Sequence, residues 1–406
     1  MRILFCNYEY PPLGGGGGVA TSLIANELAK RHEVTVLTTQ AQGLPSKQAF
    51  DRVQIIRVPV IFRKHKTVAN LLSMMTFIPM AVNTGKRLFI DNGYDLINTH
   101  FVLPTGPVGD YLARFAAVPN VLTLHGGDLY DPSKFVSPHR NLLLRSWISR
   151  LLRRADAVVG NSSDTLENMR CYYTPEIEGI RIALGIKDNG FDHVPRIRYG
   201  FSDDELLMVT IGRLIARKSI IQLIEVVQAL KGDKIRLLIL GDGPQERSLK
   251  HICAKKHLRD KIIFFGFLDE SEKFKILRIC DLFVSTSQHE GFGLAFLEAM
   301  QSGLPIVCYD KGGQNDFLKD QETGYLVRLN DINQFTSRCE ILINNRELRE
   351  RIGEANRVRA REFHIDRCAA LYEDVFAATL SRFGNKRSHN ANANPMRRHS
   401  KDASHE

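Results

Sequence analysis

The sequence predicts an α/β protein built from two doubly wound parallel-sheet domains that face each other across a cleft. Three observations carry this reading. The chain has 406 residues, too many for one typical hydrophobic core and enough for two that each bury a substantial interior. Short apolar strand-like runs alternate with helical periodicity in both halves, as in parallel sheets with helices on each face. The polar residues 187–204, with Gly190, Pro195 and Gly200, separate two such series and read as a linker. The expected domains are therefore residues 1–190 and residues 191–364.

In the first series strands are expected at residues 3–7, 34–38, 53–58, 96–99, 121–125, 157–161 and 180–183. The second series places them at 206–211, 237–240, 262–265, 282–285, 305–309 and 325–327. Each run is short and rich in β-branched and aliphatic residues. Helices are expected at 19–30, behind a run of five glycines, and at 294–301, stopped by Gly303 with Pro305 beyond. A third, at 142–154, sets Leu143, Trp147, Ile148, Leu151 and Leu152 among Arg145, Arg150, Arg153 and Arg154. Such a basic amphipathic helix can lie on a membrane, or pack on the domain core with its arginines outward. Residues 67–85 carry no charge, but Pro79 and several Asn, Ser and Thr residues make them too polar for a membrane span. Residues 385–406 have almost nothing apolar beyond Met396 and are expected to form a disordered basic tail, since they cannot offset the entropy of ordering.

The net charge of +10 is unevenly spread. Residues 1–190 carry 21 basic against 15 acidic side chains, residues 191–380 carry 28 of each, and the last 26 residues carry 6 and 2. No groove-reading motif accompanies the excess, so nucleic acid is not expected as a partner. A basic face on one half suits an anionic membrane or a phosphorylated acceptor, and Arg63-Lys64-His65-Lys66 would extend such a face. The seven cysteines form no Cys-x-x-Cys pair and read as buried thiols in a reducing compartment. The amino terminus has no secretory apolar region. A cytoplasmic location, peripheral on the inner face of the membrane, is the expectation.

The residues that carry chemistry fall at predicted strand ends. His289-Glu290-Gly291-Phe292-Gly293-Leu294 joins the strand at 282–285 to the helix at 294–301. Ligands of open parallel sheets bind at the carboxyl ends of strands, and a helix amino terminus favours phosphate through its unpaired N–H groups and dipole. Gly291 and Gly293 allow the backbone close to a ligand, and Phe292 and Leu294 ride on the same turn. Glu298, one turn into the helix, offers two acceptor oxygens suited to a ribose diol, and Glu290 falls nearer a sugar. Arg213 and Lys218 lie beyond the strand at 206–211. They can neutralise a diphosphate without a divalent metal, although by themselves they are equally a solvated basic turn with Arg217. Combined with Glu290 and Glu298 they signal nucleotide-sugar chemistry.

Gly14 to Gly18 follow the first strand. A dinucleotide fingerprint would need glycine where Val19 stands and an acid where Thr38, Thr39 and Gln40 stand, and no Gly-Lys-Ser/Thr completes a Walker loop. Five glycines cost more ordering entropy than a plain turn requires, which favours ligand approach over a flexible loop. His125-Gly126-Gly127-Asp128 ends another strand. His125 can contact a sugar hydroxyl, steady developing positive charge, or be structural. His100 reads as structural, because nothing polar accompanies it in sequence. There is no Ser-His-Asp order, His-Glu-x-x-His helix or Cys/His zinc spacing, so neither a metal nor another cofactor is expected.

Together these residues resemble the retaining, family 4 type of GT-B glycosyltransferase, the glycosyl transferases group 1 family, over nearly all of residues 1–384. Gly212-Arg213-Leu214 with Lys218, Gly241-Asp242-Gly243-Pro244, Gly266-Phe267, the spacing of Glu290 and Glu298, Gly312-Gly313 and Thr323-Gly324 stand in the family's order. Pro11-Pro12 with the glycine run, His125-Gly126 and residues 156–162 are similar in the first half. The resemblance implies two Rossmann-like domains, with a final helix near 365–384 crossing back to the first. It implies that Arg213 and Lys218 bind the donor diphosphate and Glu298 the ribose, and that Glu290 with the backbone of Gly291 to Gly293 binds the sugar. His125 would lie at the sugar, and Gly16 and Gly17 near the phosphates. The implied reaction moves a hexose from a UDP- or GDP-sugar to a lipid-linked or polysaccharide acceptor, as in lipopolysaccharide synthesis. A nucleotide-sugar epimerase and a non-catalytic sugar-nucleotide module are the alternatives. Two departures stand out: Leu184-Gly185-Ile186-Lys187 where the family often has Asn-Gly-Val-Asp, and Ser219 where a glycine usually follows the phosphate-binding lysine.

Overall fold

The computed structural model describes residues 1–61, 70–133, 137–190 and 194–392. The basic run at 63–66 lies outside them. In the first domain the strands are β1 (Arg2–Asn7), β2 (Glu33–Thr39), β3 (Lys47–Phe50), β4 (Val53–Val58), β5 (Leu96–His100), β6 (Asn120–Leu124), β7 (Ala157–Gly160) and β8 (Ile180–Arg181). Its helices are α1 (Gly16–Leu28), α2 (Leu71–Asn92), α3 (Gly106–Ala116), α4 (Leu142–Arg154) and α5 (Ser163–Tyr172). The second domain runs β9 (Leu206–Ile211), α6 (Ile220–Ala229), β10 (Ile235–Leu240), α7 (Glu246–Lys255), β11 (Ile262–Gly266) and α8 (Glu270–Ile279). It continues with β12 (Leu282–Ser285), α9 (Leu294–Gln301), β13 (Ile306–Tyr309), β14 (Gly324–Val327), α10 (Ile332–Asn344), α11 (Arg346–Ala360) and α12 (Ile365–Asn392).

The first sheet has the order β3-β4-β2-β1-β5-β6-β7-β8 and the second β11-β10-β9-β12-β13-β14. All pairings are parallel except β3 with β4. The two-residue period of a strand sorts its side chains to the two faces. Along β1, Leu4 and Cys6 pack with Phe77 and Leu112 from α2 and α3, whereas Ile3 and Phe5 pack with Ile24 and Leu28 from α1. Every expected strand is present. The extra strand, β3, is an exposed edge hairpin partner whose sequence Lys-Gln-Ala-Phe carries no alternation.

The final helix crosses back to the first domain. Its Tyr372 and Phe376 join the core of the first domain, and Glu373 bonds both Arg31 (2.8 Å) and His32 (2.7 Å). The crossing runs past Leu184-Gly185-Ile186-Lys187. Ile186 N–H donates to the Phe363 carbonyl at 2.9 Å and Ile365 N–H to the Ile186 carbonyl at 3.0 Å. A Cβ at Gly185 would lie 2.6 Å from the Ile365 Cα. The helix also corrects the expected boundary of the tail: it continues past Asn385 to Asn392. Arg387 holds it there by donating to the Ala117 carbonyl at 3.0 Å and lying over the Phe383 ring, a tertiary anchor that composition does not reveal. Residues 393–406 lie outside the described part. Six of the seven free cysteines are buried, and Cys171 is exposed. Among the described residues no helix is long and apolar enough to cross a membrane.

Candidate active site

The turn between β12 and α9 is where the two domains meet. Gly293, with φ +96°, caps α9 with its carbonyl, which accepts Phe296 N–H at 3.0 Å, and no side chain caps the helix, so its positive dipole end is open to a ligand. Gly291 has a packing reason to be glycine. A Cβ there would collide with the carbonyl oxygen of His125 in the other domain, and one on Gly126 would lie 2.6 Å from Gly291 Cα. Ser162 at the start of α5 donates its hydroxyl to the Gly291 carbonyl at 2.6 Å. Nearby, His289 bonds Asp164 at 2.7 Å and Ser163 N–H donates to Asp316 at 2.8 Å. Phe292 is buried against Phe317, and Leu294 is buried at the head of α9.

Lys218, beyond the end of β9, donates to Glu290 in a close ion pair with both side chains largely buried. Burial alone would raise the Glu290 carboxyl, but Lys218 and Arg217 outweigh it and bring the pKa to about 2. Lys218 is itself lowered, chiefly by burial, with repulsion from Arg217 and Arg213 adding to it. An anionic ligand would relieve that repulsion. Arg213 reaches the first domain, where a Cβ on Gly15 would sit 3.0 Å from its Nε. Arg217 does the same opposite Gly127, at 3.1 Å from its Nη1. It belongs to the cation cluster rather than to a solvated turn. The Gly241 to Gly243 turn supports this group: Leu214 N–H donates to the Asp242 carbonyl at 2.7 Å, and a Cβ on Gly243 would lie 2.6 Å from the Leu214 carbonyl oxygen. Ser219 takes the left-handed conformation, φ +46°, that glycine adopts without strain.

Glu298 lies buried on α9 with Lys273 of α8 at 2.8 Å. Burial opposes charge on Lys273, but Glu298 and Glu270 together hold it above the ordinary lysine range. Sequence reasoning missed Lys273, since it comes from another helix with no motif of its own.

Across the cleft the glycine run divides into two parts. Gly14, with φ +95°, turns the chain, and Gly15 N–H donates to Glu9 at 3.0 Å. Gly16 to Gly18 form the first turn of α1 rather than a loop. Gly16 faces open space, whereas a Cβ on Gly17 would collide with the Phe101 ring. His125 is 7% exposed, and burial lowers its pKa to about 3. Asp128 fixes its backbone by accepting His125 N–H at 3.0 Å and Val102 N–H at 2.8 Å. Nothing polar accompanies His100 in sequence, but the fold corrects that expectation by bringing it Asn98 at 2.8 Å, Thr21 at 3.0 Å and His125 at 3.0 Å.

One turn therefore gathers a helix amino terminus, three cations and two buried acids, with His125 opposite. The arrangement can bind a diphosphate and the polar groups on either side of it. A family model described as Glycosyl transferases group 1 matches residues 195–359, and one described as Glycosyltransferase Family 4 matches residues 14–183. An uncharacterised glycosyltransferase of Methanocaldococcus jannaschii is 30% identical over 351 residues, 80% of this chain and 85% of that one. The alpha-monoglucosyldiacylglycerol synthase of Streptococcus pneumoniae is 26% identical over 348 residues, 80% of this chain and 75% of that one. The crystal structure of Anabaena HepE in complex with UDP-glucose has a TM-score of 0.72 at 20% identity, covering 94% of this chain and 100% of that one. The chain belongs to the glycosyl transferases group 1 family, and it is a GT-B glycosyltransferase.

Proposed function

We propose that this glycosyltransferase moves a hexose from a UDP- or GDP-sugar to a lipid-linked or glycan acceptor, with retention of configuration and without a divalent metal. The observation that carries the reading is the convergence of Arg213, Lys218 and the uncapped amino terminus of α9 on one turn flanked by Glu290 and Glu298. Arg213, Lys218 and the helix end bind the diphosphate, with Gly16 and Gly17 opposite. Glu298 takes the ribose, and Glu290 with Gly291 to Gly293 the sugar, which His125 meets from the other domain. The bond from the sugar's C1 to the phosphate oxygen breaks with its electron pair passing to the diphosphate. The acceptor oxygen bonds C1 on the same face, and its proton passes to the departing phosphate oxygen. Cations fixed beside that oxygen stabilise the charge that develops there. UDP-glucose in the structural neighbour supports a uridine donor.

Support for a lipid acceptor comes from the first domain's surface and from the diacylglycerol-linked product named for one relative. In right-handed crossovers helices run against the strands, so the first turns of α2 and α4 stand at the strands' carboxyl end. There Leu71, Leu72 and Met75 on α2 and Leu142, Leu143 and Trp147 on α4 are exposed, apolar groups that a membrane surface would cover.

The test supplies UDP-glucose in EDTA with anionic liposomes that contain diacylglycerol or a glycosylated diacylglycerol. The expected result is UDP release that depends on the liposomes and a product with the α-anomeric proton. Release of UDP or of an isomerised sugar nucleotide without acceptor would favour the epimerase reading, and equal binding to neutral liposomes at low salt would contradict electrostatic docking.

A further inference from the structure

The fold builds a chain of hydrogen bonds behind His125 that the motifs do not contain. It starts at Asn98, whose amide nitrogen donates to the Val121 carbonyl at 3.1 Å and the Thr123 hydroxyl at 3.0 Å. The Val121 carbonyl only accepts, so Asn98 must turn its own oxygen to His100, 2.8 Å from Nε2. His100 Nε2 therefore carries a proton. Its ring is fully buried, stacked on Phe5 and facing Tyr372, and burial and His125 keep it neutral. A neutral imidazole has one N–H, so His100 Nδ1 is an acceptor. Its neighbours are Thr21 Oγ1 and His125 Nε2, both at 3.0 Å. The Thr21 hydroxyl is itself placed by Asn7, which donates to it at 2.6 Å, and by the Gly17 carbonyl, which accepts from it at 2.9 Å. Two ring nitrogens at this distance need one proton between them. His100 has none to give, so His125 Nε2 donates. The other nitrogen of His125, Nδ1, is then a bare acceptor, and it is buried with no hydrogen-bond partner among the described residues.

We propose that His100 is a positioning residue: it locks His125 as the Nε2–H tautomer, so that Nδ1 is a fixed acceptor for one hydroxyl of the donor sugar. This rests on the donor reading above. The lock makes the site selective for a group that donates a hydrogen bond at that position, since a buried acceptor left unmet costs binding. The Thr21 hydroxyl, whose proton goes to the Gly17 carbonyl, leaves the single lone pair of His100 Nδ1 to His125.

The test uses the full chain with histidine labelled at both ring nitrogens. NMR of the wild type should show His125 protonated at Nε2. In His100→Phe, which keeps a ring against Phe5 and Tyr372 but removes the acceptor, His125 should lose that single tautomer. His100→Asn, whose side-chain oxygen replaces Nδ1, should restore it. Kinetics with UDP-glucose and its 2-, 3-, 4- and 6-deoxy analogues supply the second readout. Wild type should discriminate against one analogue by about 10- to 100-fold in kcat/KM, the value of a lost buried hydrogen bond. His100→Phe should lower kcat/KM for UDP-glucose by a similar factor and shrink the discrimination to within about threefold.

Protonation of His125 at Nδ1 in the wild type, or an unchanged tautomer in His100→Phe, would overturn the proposal. So would an equal loss against all five donors. A wild type that keeps the Nε2–H form yet turns over no sugar nucleotide would instead count against the donor reading and leave the lock supported.

Discussion

Replacing Lys218 by alanine should lower the rate of transfer by about 100- to 1000-fold, the cost of removing one fixed donor from a site where charge develops. Two effects act together. The ammonium proposed to meet the leaving diphosphate is lost, and Glu290, buried with an 8% exposed side chain, loses its ion-pair partner. A carboxylate left behind in that position repels phosphate, and its pKa should rise from about 2 because burial is no longer opposed by Lys218. The exposed pair Lys234 with Asp204 makes the control, since Lys234→Ala should leave transfer near the wild-type rate. Initial rates at saturating donor separate the two. A Lys218→Ala enzyme within about threefold of wild type would remove Lys218 from the diphosphate site.

Glu298→Ala should act on stability and on donor binding together. Lys273 is 11% exposed in its side chain and sits between Glu298 and Glu270. Breaking a buried pair from one side costs roughly 3–5 kcal/mol, and the lower end is expected because Glu270, itself mostly exposed, remains. Loss of the acceptor proposed for the ribose should also raise KM for the donor about 10- to 100-fold while kcat falls less. Urea titration and donor kinetics read the two effects separately. The double change Glu298→Gln with Lys273→Met should recover most of the stability, since it removes both charges, but not the KM. Recovery of KM in that double variant would contradict the ribose assignment.

The strands and the order of the site residues were legible because they are local. Leu206 to Ile211 and Leu282 to Ser285 are mostly apolar runs followed by glycine-bearing turns. What stayed hidden is held by distant partners. Lys273 meets Glu298 across 25 residues, Asp164 meets His289 across 125, and His100 meets His125 from the next strand. None of these pairs has a spacing that marks it. β3 was invisible because all four of its residues are exposed and it pairs only with β4. Glycines were readable as close approaches but not as approaches to what: Gly291 admits the His125 carbonyl, and Gly17 admits the Phe101 ring. Ser219 ran the other way, a serine in a backbone position that sequence reasoning assigns to glycine.

Amide hydrogen exchange with and without UDP tests the assignment of the nucleotide site most directly. UDP at saturation should slow exchange in the peptides spanning residues 212–218 and 290–298, because the backbone N–H groups heading α9 gain an acceptor and the cations around Lys218 gain a counter-charge. If UDP raises the melting temperature yet leaves both segments unchanged, with protection only in the first domain or in α10 and α11, the nucleotide binds elsewhere and the β12 to α9 turn is not its site.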